Sequence, residues 1–351
     1  MDIIKSRDLI STQICDRFKD EIRKGKYAAG ERLPSFGVLA DSYGISKSTV
    51  HEAFKQLSEE GYLFLKHGKG AYPNPAMIER KAGKTASDVA VIAFGIFSAN
   101  DNYMIPLLES MHSYAETGKI RLHFHFIRGM SIQDRGNEVL KEAIIYGRFD
   151  GIVIVSPLDT DDIKWLTKFK IPFVAATSRY SLPVKQVLID HAAAANHALD
   201  IFAARKVRRL IVFTGPINWE REGILPFARE LHDAFVSRAD SLGIELHTVA
   251  CDYSYHDSMV KALTFFSAER NFDGVFFQSD IIAKGVSAAA KKALIDFEPL
   301  TVVNYCDLED YLAPLNIFKP LEKVGQEALR LLRSVSQNDE NVIVLKPEMK
   351  Q

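Results

Sequence analysis

The chain has 351 residues, of which 47% are hydrophobic and 25% charged, and its formal net charge is −1 at pH 7. This composition is typical of a globular protein of two or three domains, and the charge neither supports nor excludes a nucleic-acid partner. The sequence has no apolar signal region and no run of membrane-spanning length, which argues against secretion and membrane insertion. Its three cysteines are far apart, which argues against disulfides and zinc sites. Together these features predict a cytoplasmic protein.

Two helices are predicted before residue 45. An apolar residue recurs every fourth position over 10–22, which predicts a first helix with one buried stripe that ends near Gly25. Ser35 is placed to cap a second helix that runs to about Tyr43. Gly44 suits the left-handed residue that ends this helix.

A third helix is predicted from Ser46, its N-cap, to about Glu60. Two helices joined by a tight glycine turn form a helix-turn-helix, whose second helix reads bases in the major groove with residues near its N-terminus. Those residues here are Lys47, Ser48, Thr49 and His51. The alternative is a plain helical bundle with solvated lysines.

A hairpin with a basic tip is predicted after Gly61, where two short apolar runs flank the sequence HGKG. Such a hairpin forms a wing beside the recognition helix. Lys69 and the glycine backbone next to it can approach a phosphate or the minor groove closely.

Residues 33–73 resemble the winged-helix domain of the GntR family of bacterial regulators. The family pattern is carried by Leu33, Pro34, Ser35, Leu39, Ala40, Ser46, Thr49, Val50, Gly61, Gly68 and Gly70. The resemblance implies DNA contacts from Ser35, Ser46, Lys47, Ser48, Thr49, His51, Lys69 and Gly70. Gly37 stands where the family usually has an arginine, and Lys47 and His51 replace arginines common on the recognition helix, so the preferred bases differ from the usual ones.

A linker is predicted over 74–88, where a proline, a glycine and mixed charges show little apolar periodicity. We expect residues 1–73 to form the DNA-binding domain, called the head, and residues 89–351 to form a second domain of two lobes, called the body. The division between the two lobes is expected near residue 188, and the chain is expected to cross back to the first lobe near 305–320. In the body, short apolar runs alternate with amphipathic helices, which is typical of doubly wound parallel sheets. The runs lie at 89–97, 120–127, 151–157, 172–177, 209–216, 245–250, 274–280 and 300–305.

Residues 88–345 resemble the sugar-binding domain of the LacI family and of periplasmic binding proteins. The shared features are Asp150-Gly151, Asp190 before an Ala-rich helix, FFQSDIIAKG at 276–285 and the Pro-x-x-x-x-Gly-x-x-Ala run from Pro320. Regulators that join a GntR-type head to a LacI-type body are known, the arabinose-responsive repressors among them, and this chain is similar to that combination. The resemblance implies a small ligand bound between the lobes.

Five residues are candidate ligand contacts: Tyr103, Arg179, Trp219, Arg229 and Asp280. By the resemblance, Asp280 accepts hydrogen bonds from sugar hydroxyls, and Tyr103 stacks on a sugar face. Each residue also has a structural alternative: helix capping for Asp280, core packing for the aromatic residues, and a solvated surface for the arginines. His123 and His125 share one face of a strand, for which a strand face at the sheet edge is favoured over a metal site.

The sequence as a whole predicts a DNA-binding repressor without a cofactor. Its expected partners are double-stranded operator DNA, bound as a homodimer, and a sugar-like effector that releases the DNA. Alternatives are a regulator controlled by a nucleobase, an amino acid or a sugar phosphate, or a solute-binding protein. An enzyme is disfavoured because no nucleophile elbow, dinucleotide motif or metal cluster is present.

Overall fold

The computed structural model describes residues 7–28, 31–66, 68–74, 77, 87–94, 102–129, 131–145, 147–169, 171–218, 224–308, 313–334 and 341–349. The chain divides into two compact units. Unit 1 comprises Met1–Phe94, Ile120–Ile152 and Asp161–Pro172, and unit 2 comprises Gly95–Lys119, Val153–Thr160 and Phe173–Gln351. Among the described residues, no helix has the length and apolar character that crossing a membrane requires.

Unit 1 begins with a winged helix-turn-helix. Its elements are α1 (Arg7–Arg23), α2 (Phe36–Tyr43), α3 (Lys47–Glu59), β1 (Leu63–Lys66) and β2 (Gly70–Pro73). The strands β1 and β2 pair antiparallel, with Leu63 opposite Pro73 and Lys66 opposite Gly70. The three predicted helices and the predicted hairpin are therefore confirmed.

The helix ends in the head follow the predicted capping chemistry. The Ser35 hydroxyl accepts a hydrogen bond from the Val38 N–H, and Gly44 has a φ of 65°, in the left-handed region. The Ser46 hydroxyl accepts from the Thr49 N–H at 3.2 Å. The core between the helices is apolar and aromatic, and the Phe18 and Phe54 rings meet edge to face at 5.0 Å.

The remaining elements alternate between strand and helix. They are β3 (Asp88–Phe94), α4 (Met104–Gly118), β4 (Arg121–Ile127), α5 (Glu138–Ile145), β5 (Gly151–Ile154), α6 (Thr160–Thr167), β6 (Phe173–Ala176), β7 (Arg179–Tyr180), β8 (Lys185–Ile189), α7 (His191–Ala204), β9 (Arg209–Thr214), β10 (Ile224–Leu225), α8 (Phe227–Ala239), β11 (Glu245–Ala250), α9 (Tyr255–Ala268), β12 (Gly274–Phe277), α10 (Asp280–Ala293), β13 (Thr301–Cys306), β14 (Leu315–Phe318), α11 (Leu321–Arg333) and β15 (Val342–Leu345).

Two larger sheets organise these strands. One has the order β11-β9-β12-β13-β14, with every neighbouring pair parallel. The other has the order β15-β8-β6-β5-β3-β4. Parallel strands joined by helices carry their ligand-binding loops at the carboxyl ends of the strands. In the five-stranded sheet these ends lead into Gln278 after β12 and Asp307 after β13.

Both faces of the five-stranded sheet are covered, which explains the continuous apolar runs of its strands. Helices α7 and α8 contribute Phe202 and Phe235 to the core on one face, where Phe235 meets Phe276 edge to face at 4.9 Å. Helices α9 and α10 contribute Phe266 and Val286 to the core on the other face. The expected fold class, a winged helix-turn-helix head joined to α/β lobes with parallel sheets, is confirmed.

Candidate DNA interface and effector site

The start of α3 presents an accessible polar surface. Ser46, Lys47, Ser48 and His51 are exposed, as is Ser35 at the start of α2. Thr49 is instead only 5% exposed, and its hydroxyl lies 2.8 Å from that of Ser46. Thr49 therefore supports the helix cap from inside, while its neighbours are available to bases and phosphates.

The space above Gly37 is occupied by the side chain of Lys47. A Cβ atom built on Gly37 would lie 3.4 Å from Lys47 Cε and 3.7 Å from its Nζ. Lys47 thus brings a positive charge to the position where the family usually carries an arginine. The glycine at position 37 and the lysine at position 47 both depart from the family pattern, and their proximity could not be predicted from the sequence.

The tip of the wing combines exposed charge with a backbone conformation that favours glycine. Lys69 is exposed and its N–H donates to the Lys66 carbonyl at 3.0 Å. Gly70 has a φ of 104°, which residues other than glycine rarely adopt. A Cβ atom at this position would lie 2.5 Å from Arg32 Nε. Arg32 is exposed and adds a cation beside the wing that the sequence analysis did not single out.

Asp280 lies in unit 2 at the start of α10 and is 1% exposed. Its carboxylate accepts hydrogen bonds from Asn304 Nδ2 at 2.9 Å and from Asn102 Nδ2 at 3.2 Å. It also accepts from the backbone N–H groups of Leu308 at 3.0 Å and Asp307 at 3.3 Å. The carboxylate therefore joins the start of α10 to the loops after β13 and before α4.

Capping does not explain the position of Asp280. The N-cap of α10 is Ser279, and its side chain makes no capping hydrogen bond. By contrast, Asp190 does cap α7, since its carboxylate accepts from the Ala193 N–H at 2.8 Å. Asp190 is therefore the N-cap of α7.

A buried ion pair lies next to Asp280. Lys319 Nζ donates to Asp307 Oδ1 at 2.7 Å and to the carbonyls of Tyr305 and Gln278 at 2.6 and 2.9 Å. The ammonium also lies 4.1 Å from the centroid of the Tyr305 ring. Burial raises the pKa of Asp307, against the lowering effect of Lys319. All three ammonium protons have acceptors, so this cation is saturated by the protein.

Several buried polar atoms around this pair have no hydrogen-bond partner in the described part of the chain. They are His191 Nε2, Gln278 Nε2, Ser279 Oγ and Asn304 Oδ1. An unpaired buried polar atom is costly, so a cluster of them marks a place where a polar ligand is favoured. His191 Nδ1 lies 3.0 Å from the Tyr305 hydroxyl, and burial, with Lys319 and Arg179 nearby, lowers the pKa of His191 to about 3.

An aromatic stack lies beside these polar atoms. The Tyr103 and Phe227 rings are 6.3 Å apart and inclined by 12°, and the Phe227 and Tyr253 rings are 5.4 Å apart and inclined by 19°. His191 also packs on Phe227, at 5.1 Å. Tyr103 was predicted from the sequence, whereas Phe227 and Tyr253 were not, because each belongs to a different element.

The two candidate arginines differ in their surroundings. Arg179 is half-buried and donates from Nη2 and Nε to Glu230 at 3.2 and 3.4 Å. Arg229 is exposed and pairs with Asp233 one helical turn away, at 3.0 Å. Trp219 lies outside the described residues.

The two histidines of β4 do not form part of a metal centre in the described residues, where no group of three or more potential ligands is present. His123 Nε2 lies 3.1 Å from Asp88 Oδ1, and both histidine rings pack against Phe149. They lie on the edge strand of the six-stranded sheet.

Residues 10–72 match the family model described as "Bacterial regulatory proteins, gntR family". The chain is 39% identical over 70 residues to an uncharacterized HTH-type transcriptional regulator of Streptomyces coelicolor, covering 20% of this chain and 24% of that protein. It is 37% identical over 60 residues to the mannosyl-D-glycerate transport/metabolism system repressor of Escherichia coli, covering 17% and 25%. The chain thus spans about a quarter of the length of these curated relatives, and it carries a GntR-type helix-turn-helix at its N-terminus.

The rest of the chain is similar in fold to LacI-family regulators. A regulatory protein of that family from Chloroflexus aggregans superposes with a TM-score of 0.62 and 18% identity, covering 75% of this chain and 96% of that chain. This likeness confirms the two-lobe α/β fold that the resemblance implied.

Proposed function

We propose that the chain is a DNA-binding transcriptional repressor whose operator affinity is controlled by a small molecule. The match of residues 10–72 to the GntR family carries the proposal, because the relatives that share this domain include named repressors. The LacI-like fold of the body supports control by a ligand, since doubly wound lobes bind small molecules at the carboxyl ends of their strands. In this proposal residues 1–73 bind DNA, 74–88 link, and 89–351 sense the effector.

The proposed effector is a neutral polyhydroxylated molecule such as a sugar. The unpaired atoms of Asn304 and Ser279 offer polar contacts, and Tyr103 offers an apolar ring face. Asp280 would accept from a ligand hydroxyl in exchange for one of the four hydrogen bonds that its carboxylate accepts from the protein. Lys319 and Arg179 already have carboxylate partners, Asp307 and Glu230. An anionic effector, such as a sugar phosphate, would have to displace one of these partners, so the charge balance favours an uncharged one.

The proposed DNA-bound form is a homodimer on a pseudo-palindromic operator. One winged helix covers only a few base pairs and binds weakly, whereas two heads on symmetric half-sites multiply affinity and specificity. Effector binding would change the placement of the heads and release the DNA, as in hinge closure around a ligand.

Thermal denaturation in the presence of candidate effectors tests the sensing role. Neutral monosaccharides, their phosphates, amino acids and nucleobases are added one at a time, and a ligand of the folded state raises Tm with the logarithm of its concentration. We expect a neutral sugar or sugar derivative to raise Tm in the wild type and in Asp240→Asn, an exposed control, but less in Asp280→Asn. Stabilisation by phosphorylated sugars alone would contradict the proposed effector class.

A further inference from the structure

The first strand of the wing packs against the α/β part of unit 1. The Phe64 ring of β1 lies 5.6 Å from the ring of Phe169, just after α6. Phe169 is 2% exposed and meets Trp165 of α6 at 4.6 Å. Phe64 of the wing therefore packs onto an aromatic pair, Trp165 and Phe169, that lies outside the head.

An ion pair continues this contact. Lys66 Nζ lies 2.9 Å from Glu142 Oε1 of α5. The hydrogen bond and charge of Lys66 lower the pKa of Glu142, and the charges of Lys69 and Arg148 lower it further. The carboxylate of Glu142 thus pairs directly with Lys66 of the wing.

Strand geometry separates this contact from the core of the head. Successive side chains of a strand alternate between its two faces, so Phe64 and Lys66 share one face of β1, whereas Leu63 points to the other. Leu63 is 1% exposed and belongs to the core of the head. The head therefore does not need Phe64 or Lys66 for its own core, and both remain for contacts outside it.

We propose that this contact, Phe64 on Phe169 and Lys66 on Glu142, is an autoinhibitory docking site for the wing. The inference rests on the proposed function, because it assumes that the wing binds DNA. Wing cations act by neutralising phosphates, and the Glu142 carboxylate that pairs with Lys66 competes with a phosphate for that charge. The docked head is the form of low DNA affinity, and the undocked head is the form that binds.

The size of the effect depends on the fraction of undocked heads. Apparent affinity falls in proportion to the competent fraction, so a head docked for about nine-tenths of the time binds DNA about tenfold more weakly. A solvent-exposed ion pair contributes little by itself, so the aromatic contact and the ion pair must act together.

Operator affinity of single and double variants tests the docking site. The full chain and a DNA duplex selected by the protein are used, with Glu142→Gln as the probe and Glu138→Gln as its control. Glu138 lies on the same helix and is exposed, and its carboxylate accepts from the Gly136 N–H at 2.9 Å. We expect Glu142→Gln to bind DNA about three- to tenfold more tightly than wild type, and Glu138→Gln to bind as wild type does.

Two further measurements separate docking from a simple change of charge. Phe64→Ala should also bind more tightly, and Glu142→Gln should add little to it, because either change alone releases the wing. Hydrogen exchange of peptides covering 160–169 should increase when operator is added to the wild type, since DNA removes Phe64 from Phe169.

The failures are distinguishable. Equal affinities for Glu142→Gln and Glu138→Gln, with unchanged exchange at 160–169, would overturn the docking site while leaving DNA binding intact. A wild-type chain that selects no DNA would instead refute the proposed function.

Discussion

At the scale of single residues, the carboxylate of Asp280 receives two side-chain amides and two backbone N–H groups. Asp280→Asn removes its charge and weakens its acceptor strength but hardly changes its shape. We expect at least a tenfold higher effector concentration for half-maximal release of DNA, with effector-free DNA binding unchanged. A fluorescence titration of labelled operator measures both quantities, and a wild-type effector response in the variant would limit Asp280 to a structural role.

Two residues of the head are expected to contribute differently to DNA binding. Lys69→Ala removes the phosphate contact proposed for the wing, so it should weaken binding to all sequences and reduce the salt slope by about one unit. His51→Ala removes a side chain from the recognition helix, so it should alter base preference. Binding to operator and to random DNA at several salt concentrations distinguishes the two. Equal losses on both DNAs for both variants would show that neither residue reads bases.

His191 is expected to make the body acid-sensitive. Its pKa falls from 6.5 to about 3 on folding, so the unfolded chain takes up a proton that the folded chain excludes. Above about pH 6.5, His191 therefore does not reduce the free energy of unfolding, and as the pH falls from there toward 3 it reduces it progressively. Between pH 6.5 and pH 5, protonation of His191 in the unfolded chain should lower the free energy of unfolding by about 2 kcal/mol.

Urea unfolding at pH 7.5 and pH 5.0 measures this loss. His191→Asn keeps an acceptor for the Tyr305 hydroxyl and should lose less stability on acidification than wild type. His256→Asn, at an exposed histidine, is the control and should behave as wild type does. If all three proteins lose the same free energy of unfolding, His191 is not the group that excludes the proton.

Some site residues could be predicted from sequence and others could not. Asp280 follows an apolar strand and opens a helix, which is a local signal. The Lys319–Asp307 pair and the contact of His191 with Tyr305 join residues 12 and 114 positions apart. Only the folding of α7 beside β13 brings the second pair together, so no local pattern contained it. A lysine inside the apolar run IFKP was the one available hint of the first pair.

At the scale of elements, the N-cap of α3 sets the geometry of the recognition helix. Ser46→Ala removes the acceptor for the Thr49 N–H and the contact with the Thr49 hydroxyl, and should cost about 1 kcal/mol of head stability. Hydrogen exchange of the α3 amides should therefore be faster by roughly fivefold. Ser42→Ala is the control, because Ser42 is exposed near the end of α2 and caps no helix start. Equal exchange in both variants would contradict the capping role.

The strands differ in how well their sequences predicted them. The eight apolar runs of the body all contain strands, whereas β7, β8, β10, β14 and β15 were not predicted. In β8, Gln186 interrupts the apolar pattern, but it is buried because its side-chain amide pairs with the backbone of Tyr180. The side chains of β15 alternate between exposed and half-buried at the sheet edge, so its four residues gave no buried run. Tertiary pairing, rather than local composition, makes these segments strands.

At the scale of the whole molecule, the fold class could be predicted because its signals repeat along the chain. Helix caps, a glycine turn and a basic hairpin identified the head, and strand-helix alternation identified the body. The contact between Phe64 and Phe169 could not be predicted, since the two rings are far apart in sequence and each lies in an ordinary apolar context.

The most direct test of the account is operator affinity measured by fluorescence anisotropy with and without the effector identified by thermal denaturation. We expect the effector to weaken binding of the selected operator by about 5–150-fold, and operator to weaken effector binding by the same factor, because coupling between two sites is reciprocal. The chain should also bind the effector when DNA is absent. Equal operator affinities at zero and saturating effector would contradict the claim that this chain is a ligand-controlled regulator.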